Sequence, residues 1–304
     1  MPASIVNQVV NLHRAQLQGI VELGGVRKVR KLYEQARAEL EERLAALKRR
    51  GMGESFTAFH MRQILLQVRD GLLMFQDQFG PALSKNAKAG ALLAQRHTIG
   101  AITQFERRFT GTRPVLAIEE AGVFARSYRG LEPSLLSRYH KYVRNYPQAT
   151  INRIQNGLAL SLIQGEPLER AVDKVAATDG LFARDRWRAE RIARTEMGYA
   201  YGITGQKMLE ETAHEVPGLM KRLVATIDAR TGDDSKILDG QTVPWNKPFV
   251  WMKPTKAGPV RVEYMAPPNR PNDREVMVPW RADYHSRSIS SAPITPRLPS
   301  GIGI

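Results

Sequence analysis

The sequence predicts an α+β protein, with predominantly helical N-terminal two-thirds, then a small β-rich C-terminal unit and an extended or disordered tail. Apolar residues recur at three- and four-residue spacing through most of residues 4–212, which is the period of helices with one buried face. Over 222–281, β-branched and aromatic residues lie between Pro and Gly turns, as in strands. We therefore expect a helical region over 1–149, a domain over 150–281 that joins a long helix to the β-rich unit, and a Ser/Pro/Gly-rich tail over 282–304.

The helical region begins with two amphipathic patterns. Residues 4–50 carry one apolar stripe, which should end at Gly51 because glycine commonly follows the last turn of a helix. A second stripe follows, and Gly80-Pro81 is expected to break it because proline lacks the N–H that a helix interior needs.

The helical pattern resumes over residues 84–109 and is then interrupted several times. We expect a turn at 110–114, further turns at Pro133 and Pro147, and a turn followed by a helix over 165–177.

The clearest helix covers residues 183–212, and it carries a carboxylate in its apolar stripe. Glu196 falls on the same side as Ala193 and Ala200, where an unpaired charge would be costly to bury. We therefore expect Glu196 to have a partner, and we expect Glu196→Ala to destabilise the C-terminal unit. Unchanged thermal unfolding of that variant would contradict the buried pair.

Composition limits the classes of function. The 304 residues include no cysteine, which excludes disulfides, cysteine-based zinc sites and thiol catalysis. The sequence contains no P-loop, HExxH, GxGxxG or GxSxG motif, no apolar run long enough for a membrane span, and no signal-peptide pattern. A net charge of +15 favours polyanionic partners. We expect a protein of the cytoplasm, or of a particle that is assembled there.

Four aspartates follow the long helix in the stretch ATIDARTGDDSKILDG: Asp228, Asp233, Asp234 and Asp239. One interpretation is a nuclease-like Mg²⁺ site made by Asp228, Asp239 and Glu196, because two-metal chemistry needs converging carboxylates. That interpretation predicts Mg²⁺ binding, and loss of cleavage in Asp228→Asn.

The other interpretation of the aspartates is structural. Asp239-Gly240 is a common turn pair, and residues 231–234 are typical of a solvated loop. Asp228 and Arg230 would face Glu196 and Arg194, so that arginine–carboxylate pairs fix the strand against the long helix. We favour this interpretation because no catalytic base converges with the carboxylates.

A series of arginines lies at the start of the long helix: Arg184, Arg186, Arg188, Arg191 and Arg194. These side chains either pair with local acids such as Asp185 and Glu190, or form a stripe that contacts DNA or a partner protein through salt-sensitive contacts. Both alternatives stay open, and no base-reading motif is present.

Three segments resemble the Mu F type of phage minor head protein, the head morphogenesis family. They are RAERIARTEMGYAYGITGQ, ATIDARTGDDSKILDGQTVP and YMAPPNRPNDREVMVPW, and their order and spacing are similar to that family over roughly residues 150–281. The positions that match the family's motifs are Arg194, Thr195, Glu196, Asp228, Arg230, Thr231, Leu238, Asp239, Gly240, Pro267, Pro268, Pro271, Asn272 and Arg274.

The resemblance implies a structural and assembly role without enzymatic activity or cofactor. It implies a low-copy virion component at the portal vertex or capsid interior, made in the host cytoplasm, that contacts packaged double-stranded DNA and can be ejected with it. The expected partners are the phage portal protein and the major capsid or scaffolding protein, with no membrane as a resting partner. A metal-dependent packaging nuclease and a general nucleic-acid-binding protein are the alternatives.

The sequence departs from the family at positions where relatives carry Cys and His in an arrangement that suggests a metal site. Those positions hold Gly232, Ser235, Arg270, Asp273 and Glu275, and we expect no metal here. Our hypothesis is that salt bridges of Arg270, Asp273, Arg274 and Glu275 replace it. For the tail, we expect that deleting residues 286–304 leaves the fold intact and weakens partner binding.

Overall fold

A computed structural model of the chain describes residues 5–112, 123–284 and 290–301. Its helical elements are α1 (Ile5–Gln18), a π-helical segment (Gly19–Val26), α2 (Arg27–Arg50), α3 (Ala58–Phe109), α4 (Val123–Ile163), α5 (Leu168–Ala176), α6 (Leu181–Arg184), α7 (Arg186–Thr212) and α8 (Asp233–Leu238). The strands are β1 (Met220–Val224), β2 (Thr242–Pro244), β3 (Phe249–Lys253), β4 (Val260–Tyr264) and β5 (Val276–Trp280). Residues 113–114 of the predicted turn, and residues 285–289 and 302–304 of the predicted tail, lie outside the described residues.

The predicted α+β class is confirmed, with helices through the N-terminal part and a small C-terminal sheet region. Strand β1 lies between β2 and β5 in an antiparallel sheet, and β3 and β4 form a separate antiparallel pair. None of the described helices combines the length and the apolar character needed to cross a membrane.

The chain divides into two compact units. The helical unit comprises Val26–Ser84 and Leu136–Ala193, and the composite unit comprises Met1–Gly25, Lys85–Leu135 and Arg194–Ile304. Each unit therefore contains segments that are distant in sequence.

This division differs from the predicted boundary between residues 149 and 150. That boundary lies inside α4, which buries Tyr146, Ile154 and Leu158 in the core of the helical unit. Because the buried positions continue across it, the helix gives no reason to divide there.

The core of the helical unit forms around the stripe predicted for α2. Leu40 and Leu44 are fully buried, and Tyr33 lies 5.1 Å from Phe75 and 5.0 Å from Phe182 between ring centres. The Tyr33 hydroxyl donates a hydrogen bond to the Phe182 carbonyl at 2.7 Å, so this buried polar group is satisfied. The predicted end at Gly51 is confirmed, with its N–H bonded to the Leu47 carbonyl at 3.2 Å.

The composite unit has two apolar clusters. The first contains Val6 and Val10 of α1, Phe105 of α3, Met197 of α7 and Trp280 of β5. The second combines the end of α7 with the strands and includes Met208, Leu209, Leu223, Phe249 and Met277. The three parts of this unit are therefore joined by burial of apolar side chains.

The predicted break at Gly80-Pro81 is wrong, because α3 continues through it for a total of 52 residues. Phe79 and Leu83 are buried on either side of Pro81, so the apolar stripe stays in register. Pro81 and Asp77 are exposed, so water can reach the carbonyl that has lost its N–H partner.

The turns predicted at Pro133 and Pro147 are also wrong, because both residues lie inside α4. Leu135 is buried next to the first proline, and Tyr146 and Thr150 are buried around the second. Burial of these neighbouring side chains favours a continuous helix, although each proline removes one backbone hydrogen bond.

The long helix predicted from residue 183 is interrupted at Asp185, which separates α6 from α7. Asp185 is only 3% exposed, and its carboxylate accepts hydrogen bonds from Thr150 and Arg153 of α4. This tertiary contact, which no local pattern reveals, coincides with the break.

Strand β1 lies earlier than the predicted LVATIDA segment and ends at Val224. The next residue, Ala225, donates its N–H to the Asp239 carboxylate at 2.8 Å. The Asp239 side chain thus accepts the backbone N–H that would have bonded to a neighbouring strand if β1 had continued.

The predicted extended tail is present in residues 290–301, and it packs on the composite unit. The Ser291 carbonyl accepts the Ile227 N–H at 2.8 Å, and the Arg297 N–H bonds to the Ala15 carbonyl at 2.9 Å. The tail therefore has backbone partners at both ends of its described part.

Candidate functional site

The three motif segments meet within the composite unit. The Asn272 N–H donates to the Thr195 hydroxyl at 3.3 Å, which connects the third segment to the first. The Arg274 guanidinium donates two hydrogen bonds to the Asp228 carboxylate at 2.6 and 2.7 Å, which connects the third to the second. Residues separated by up to 77 positions thus form one constellation.

The third segment lies close against helix α7 because of one glycine. A Cβ atom on Gly202 would lie 1.7 Å from the Pro267 carbonyl oxygen, which no side chain could tolerate. Gly198 is more open, because its added Cβ would lie 3.6 Å from the Pro268 ring. Gly202 therefore permits the contact between motif segments, although no sequence motif assigned it a role.

Asp228 lies in a turn after β1 and is surrounded by donors. Besides Arg274, the Arg230 N–H donates to its Oδ1 at 2.8 Å, and the Arg230 guanidinium lies 3.4 Å from Oδ2. The Thr231 hydroxyl, which donates to the Thr226 carbonyl at 2.6 Å, accepts the Asp228 N–H at 2.7 Å. The hydrogen bonds from Arg274 are the main reason that the pKa of Asp228 is lowered below its usual range.

These contacts differ from the pairing expected between the strand and the long helix. The bonds described for Asp228 run to Arg274, Arg230 and Thr231, and those for Arg194 run to Glu22 at 2.8 and 3.1 Å. Glu196 is 1% exposed, as the apolar stripe predicted, so the expected effect of Glu196→Ala stays a prediction.

Asp239 connects the residue after β1 to the tail by hydrogen bonds. Its Oδ1 accepts the Ala225 N–H at 2.8 Å, and its Oδ2 accepts the Ser291 hydroxyl of the tail at 2.6 Å. Gly240 follows with φ of 82°, a conformation that glycine adopts without strain, in agreement with the predicted turn pair.

The solvated loop expected over residues 231–234 is wrong for Asp233 and Asp234, which are the first two residues of α8. Acidic side chains are favourable there because the first turn exposes backbone N–H groups. Asp233 is exposed, whereas the Asp234 carboxylate forms an ion pair with Arg270. Packing of Arg270 over this turn was not visible from the sequence.

The carboxylates proposed for a nuclease site thus have distinct local roles. Asp228 pairs with arginine, Asp239 joins the tail to the turn after β1, and Glu196 is buried in α7. Within the described residues, no three His, Cys, Asp or Glu side chains form a group that could hold a metal ion.

The positions that hold Cys and His in the resembling family form a polar cluster here. A Cβ atom on Gly232 would lie 2.4 Å from the Arg270 guanidinium, so glycine makes room for that arginine. Arg270 also donates to the Ser235 hydroxyl at 2.7 Å. The Tyr264 hydroxyl donates to Glu275 at 3.0 Å, and Asp273 accepts the Asn269 N–H at 3.1 Å.

Two carboxyl groups of this cluster resist ionisation. Burial, together with the neighbouring charge of Asp273, raises the pKa of Glu275 to about 7. Burial also raises the pKa of Asp273. The ion pairs described for this cluster run from Arg270 to Asp234 and from Arg274 to Asp228. The hypothesis had instead expected Asp273 and Glu275 to supply the carboxylates, and these two lie together as buried acids.

We expect Glu275→Gln to stabilise the composite unit at pH 8 by about 1–3 kcal/mol, because the amide is uncharged where the buried carboxylate is destabilising. The folded chain has the higher pKa, so its stability falls as pH rises from the unfolded value of about 4.5 through about 7. At pH 4.5 the gain should therefore disappear. Urea unfolding at both pH values tests this, with Glu263→Gln on β4 as the control. An equal effect of Glu275→Gln at both pH values would contradict it.

A cavity of about 580 Å³ lies against the motif segments, entirely within the composite unit. Four arginines line it, together with the carboxyl groups of Glu22, Asp273 and Glu275, and its size is typical of ligand sites. The arginines are Arg14, Arg194, Arg230 and Arg274. The last three belong to the predicted motif set.

Arg14 is the residue of this site that the sequence did not identify. It is 1% exposed on α1, and its guanidinium donates to Thr226 Oγ1 at 3.0 Å and to the carbonyls of Ser290, Ser291 and Ala292 at 2.9–3.3 Å. Its spacing in the sequence could have identified it, because it lies four residues after Val10 and three before Leu17, on the buried face of α1. An arginine buried there needs hydrogen-bond acceptors.

The first four arginines of the predicted stripe lie in the helical unit, and Arg194 lies in the composite unit. The first members of the stripe contact their neighbours. Arg184 donates to the Asp179 carbonyl at 2.7 Å, and Arg186 forms ion pairs with Glu34 and Glu190. The alternative of pairing with local acids is thus observed for Arg186.

The later members of the stripe lie over aromatic rings. Arg188 lies 3.6 Å from Asp185 and 5.5 Å from the centre of the Tyr146 ring. Arg191 lies 4.5 Å from the centre of the Trp187 ring, which is half exposed. Contact of these arginines with DNA or with a partner protein stays a prediction.

No protein-family model, curated protein or solved structure matches the chain. The resemblance to minor head proteins accordingly rests on the three motif segments alone.

Proposed function

We propose that the protein is a structural and assembly component of a phage head, present at low copy at the portal vertex or capsid interior. The observation that carries this proposal is the mutual bonding of the three motif segments. Thr195 bonds to Asn272, Asp228 pairs with Arg274, and Asp239 bonds to the tail. Polar groups used in this way support a defined folded unit, which an assembly protein needs for docking.

The charge of the chain supports the partners in this proposal. A net charge of +15 attracts DNA and acidic protein surfaces. The portal protein and the major capsid or scaffolding protein are the docking partners, and packaged double-stranded DNA is the polyanion. Contacts with DNA would be phosphate-directed and weakened by salt.

Mass spectrometry of purified virions tests this assignment. DNA-filled particles from the phage that encodes the chain should contain it at low copy relative to the major capsid protein. Its loss from particles that have been emptied would identify it as a protein that leaves with the genome. Absence from filled and emptied particles would contradict the proposal.

Exchanging the charges of Asp228 and Arg274 distinguishes a structural ion pair in an assembly protein from a metal-binding carboxylate in a nuclease. Each single change, Asp228→Arg or Arg274→Asp, should reduce the yield of filled heads, because it places like charges together. The double exchange should restore part of that yield if the two residues form a structural pair. A metal-binding carboxylate could not be replaced by arginine, so Mg²⁺-dependent DNA cleavage that is lost in Asp228→Asn, without rescue by the exchange, would favour the nuclease.

A further inference from the structure

We propose that the arginine-lined cavity binds a phosphate group, carried either by a free nucleotide or by the end of a nucleic-acid strand. The inference does not depend on the proposed role in phage heads, because it concerns binding by the isolated chain. It rests on four arginines at one cavity, on two buried polar atoms without well-formed hydrogen bonds, and on the size and walls of the cavity.

The four arginines of the cavity face three carboxyl groups on its wall, of which Asp273 and Glu275 have raised pKa values. Arg194 is matched by Glu22 in a two-bond ion pair. Asp228, in contrast, is shared between Arg274 and Arg230, so one carboxylate serves two arginines. Arg230 is 78% exposed as a side chain and lies at 3.4 Å from Asp228, which leaves its guanidinium able to turn to a ligand. Guanidinium groups match phosphate oxygens in paired hydrogen bonds.

The buried guanidinium of Arg14 adds a second positive charge. Its terminal nitrogens bond to carbonyl, hydroxyl and amide oxygens, and the nearby carboxylate of Asp239 balances part of the charge. Its Nε–H has no acceptor among the described residues, although the atom is buried. A buried donor without a partner is unfavourable, and an oxyanion in the cavity would satisfy it.

Glu275 presents the other polar atom without a well-formed hydrogen bond. Its Oε2 accepts a hydrogen bond from Tyr264, whereas its buried Oε1 has no well-oriented hydrogen bond among the described residues, although Ser235 and Asp273 are close enough to affect its pKa. Burial raises the pKa of this carboxyl to about 7, so near neutral pH its protonated form can donate a hydrogen bond to a phosphate oxygen.

The walls of the cavity indicate that the phosphate belongs to a larger, partly apolar ligand. The volume of about 580 Å³ far exceeds that of one oxyanion, and apolar side chains line part of it. They are Leu17, Val21, Pro268, Val276 and Pro296. A sugar and base could pack on these surfaces while the phosphate contacts the arginines.

Calorimetric titration of the full chain tests the proposal with four probes at pH 6.5. The probes are dAMP, deoxyadenosine, and a 12-nucleotide single strand with either a 5′-phosphate or a 5′-hydroxyl. Binding of dAMP but not deoxyadenosine supports a free nucleotide as the ligand. Binding that requires the 5′-phosphate of the strand, with none to dAMP, supports a nucleic-acid end. No difference between phosphorylated and unphosphorylated probes would overturn the proposal.

Two matched pairs of variants locate the site. Arg230→Gln should weaken phosphate-dependent binding about fivefold, whereas Arg261→Gln, an exposed arginine of β4, should leave it unchanged. Val21→Trp, which fills the cavity, should weaken binding about tenfold or more, whereas Leu23→Trp on the same π-helical segment should not. Equal losses within either pair would assign the binding to general positive charge, or to altered folding, and overturn the proposal.

Discussion

Deletion of residues 286–304 should destabilise the composite unit by about 3–5 kcal/mol, because it leaves the buried charge of Arg14 without most of its hydrogen-bond acceptors. This expectation reverses the one drawn from sequence, in which the tail was dispensable for folding. The tail carbonyls of Ser290, Ser291 and Ala292 accept hydrogen bonds from Arg14, which is 1% exposed. Without them, the guanidinium keeps Thr226 and Asn11 as described partners and loses the rest.

The effect of the deletion can be assigned to Arg14 by a double-mutant cycle. Arg14→Met in the full-length chain removes the charge and keeps an unbranched apolar side chain of similar length. If the stranded guanidinium is the cause, deletion in the Arg14→Met background should cost much less than deletion in the wild type. Urea unfolding of the four proteins gives the coupling energy. Additive effects would show that the tail stabilises the unit independently of Arg14.

Local patterns predicted most helices and strands because their information is contained within a few turns. The stripe of α2 and its end at Gly51 depend on residues that lie within one helix. The errors at Pro81, Pro133 and Pro147 have a common feature, which is that each proline has a buried neighbour in the same helix. At Pro81 and Pro147 such neighbours lie on both sides. Burial depends on other segments of the chain, so a local rule cannot weigh it.

The site was predictable only in part, because its pairs are set by sheet register. The motif residues were identified individually, but Asp228 was assigned partners on the long helix. In the structure Val224 lies opposite Val276, and continuing this antiparallel register by two residues brings Thr226 beside Arg274. Knowing that β5 pairs with β1 would have placed Arg274 near Asp228. Pairing of strands about fifty residues apart leaves no local signal.

The core also contains a histidine pair that no sequence pattern indicated. His13 of α1 and His97 of α3 stack with ring centres 3.8 Å apart and planes at 4°. The His97 Nε2–H donates to Gln16 Oε1 at 2.8 Å, so its Nδ1 is free to accept the Tyr201 hydroxyl hydrogen, also at 2.8 Å. Both rings are buried, which favours their neutral form.

This pair should make the composite unit sensitive to acid. Burial lowers the pKa of His13 to about 3, and burial together with the neighbouring His13 lowers that of His97 well below 6.5. Both histidines take up protons in the unfolded chain below about pH 6.5 but not in the folded one, so stability falls as pH drops. His13 alone should contribute about 1.4 kcal/mol per pH unit between pH 6.5 and 4.5, and His97 acts in the same direction.

Comparing variants isolates this effect from that of the acid pair, since Asp273 and Glu275 titrate with the opposite sign in the same range. His13→Phe keeps a stacked ring and removes one protonation site. The difference in unfolding free energy between wild type and this variant should therefore change by about 1.4 kcal/mol per pH unit from 6.5 to 4.5. His214→Gln, which removes an exposed histidine, serves as the control. A difference independent of pH would mean that His13 is protonated to the same extent in the folded and unfolded chains.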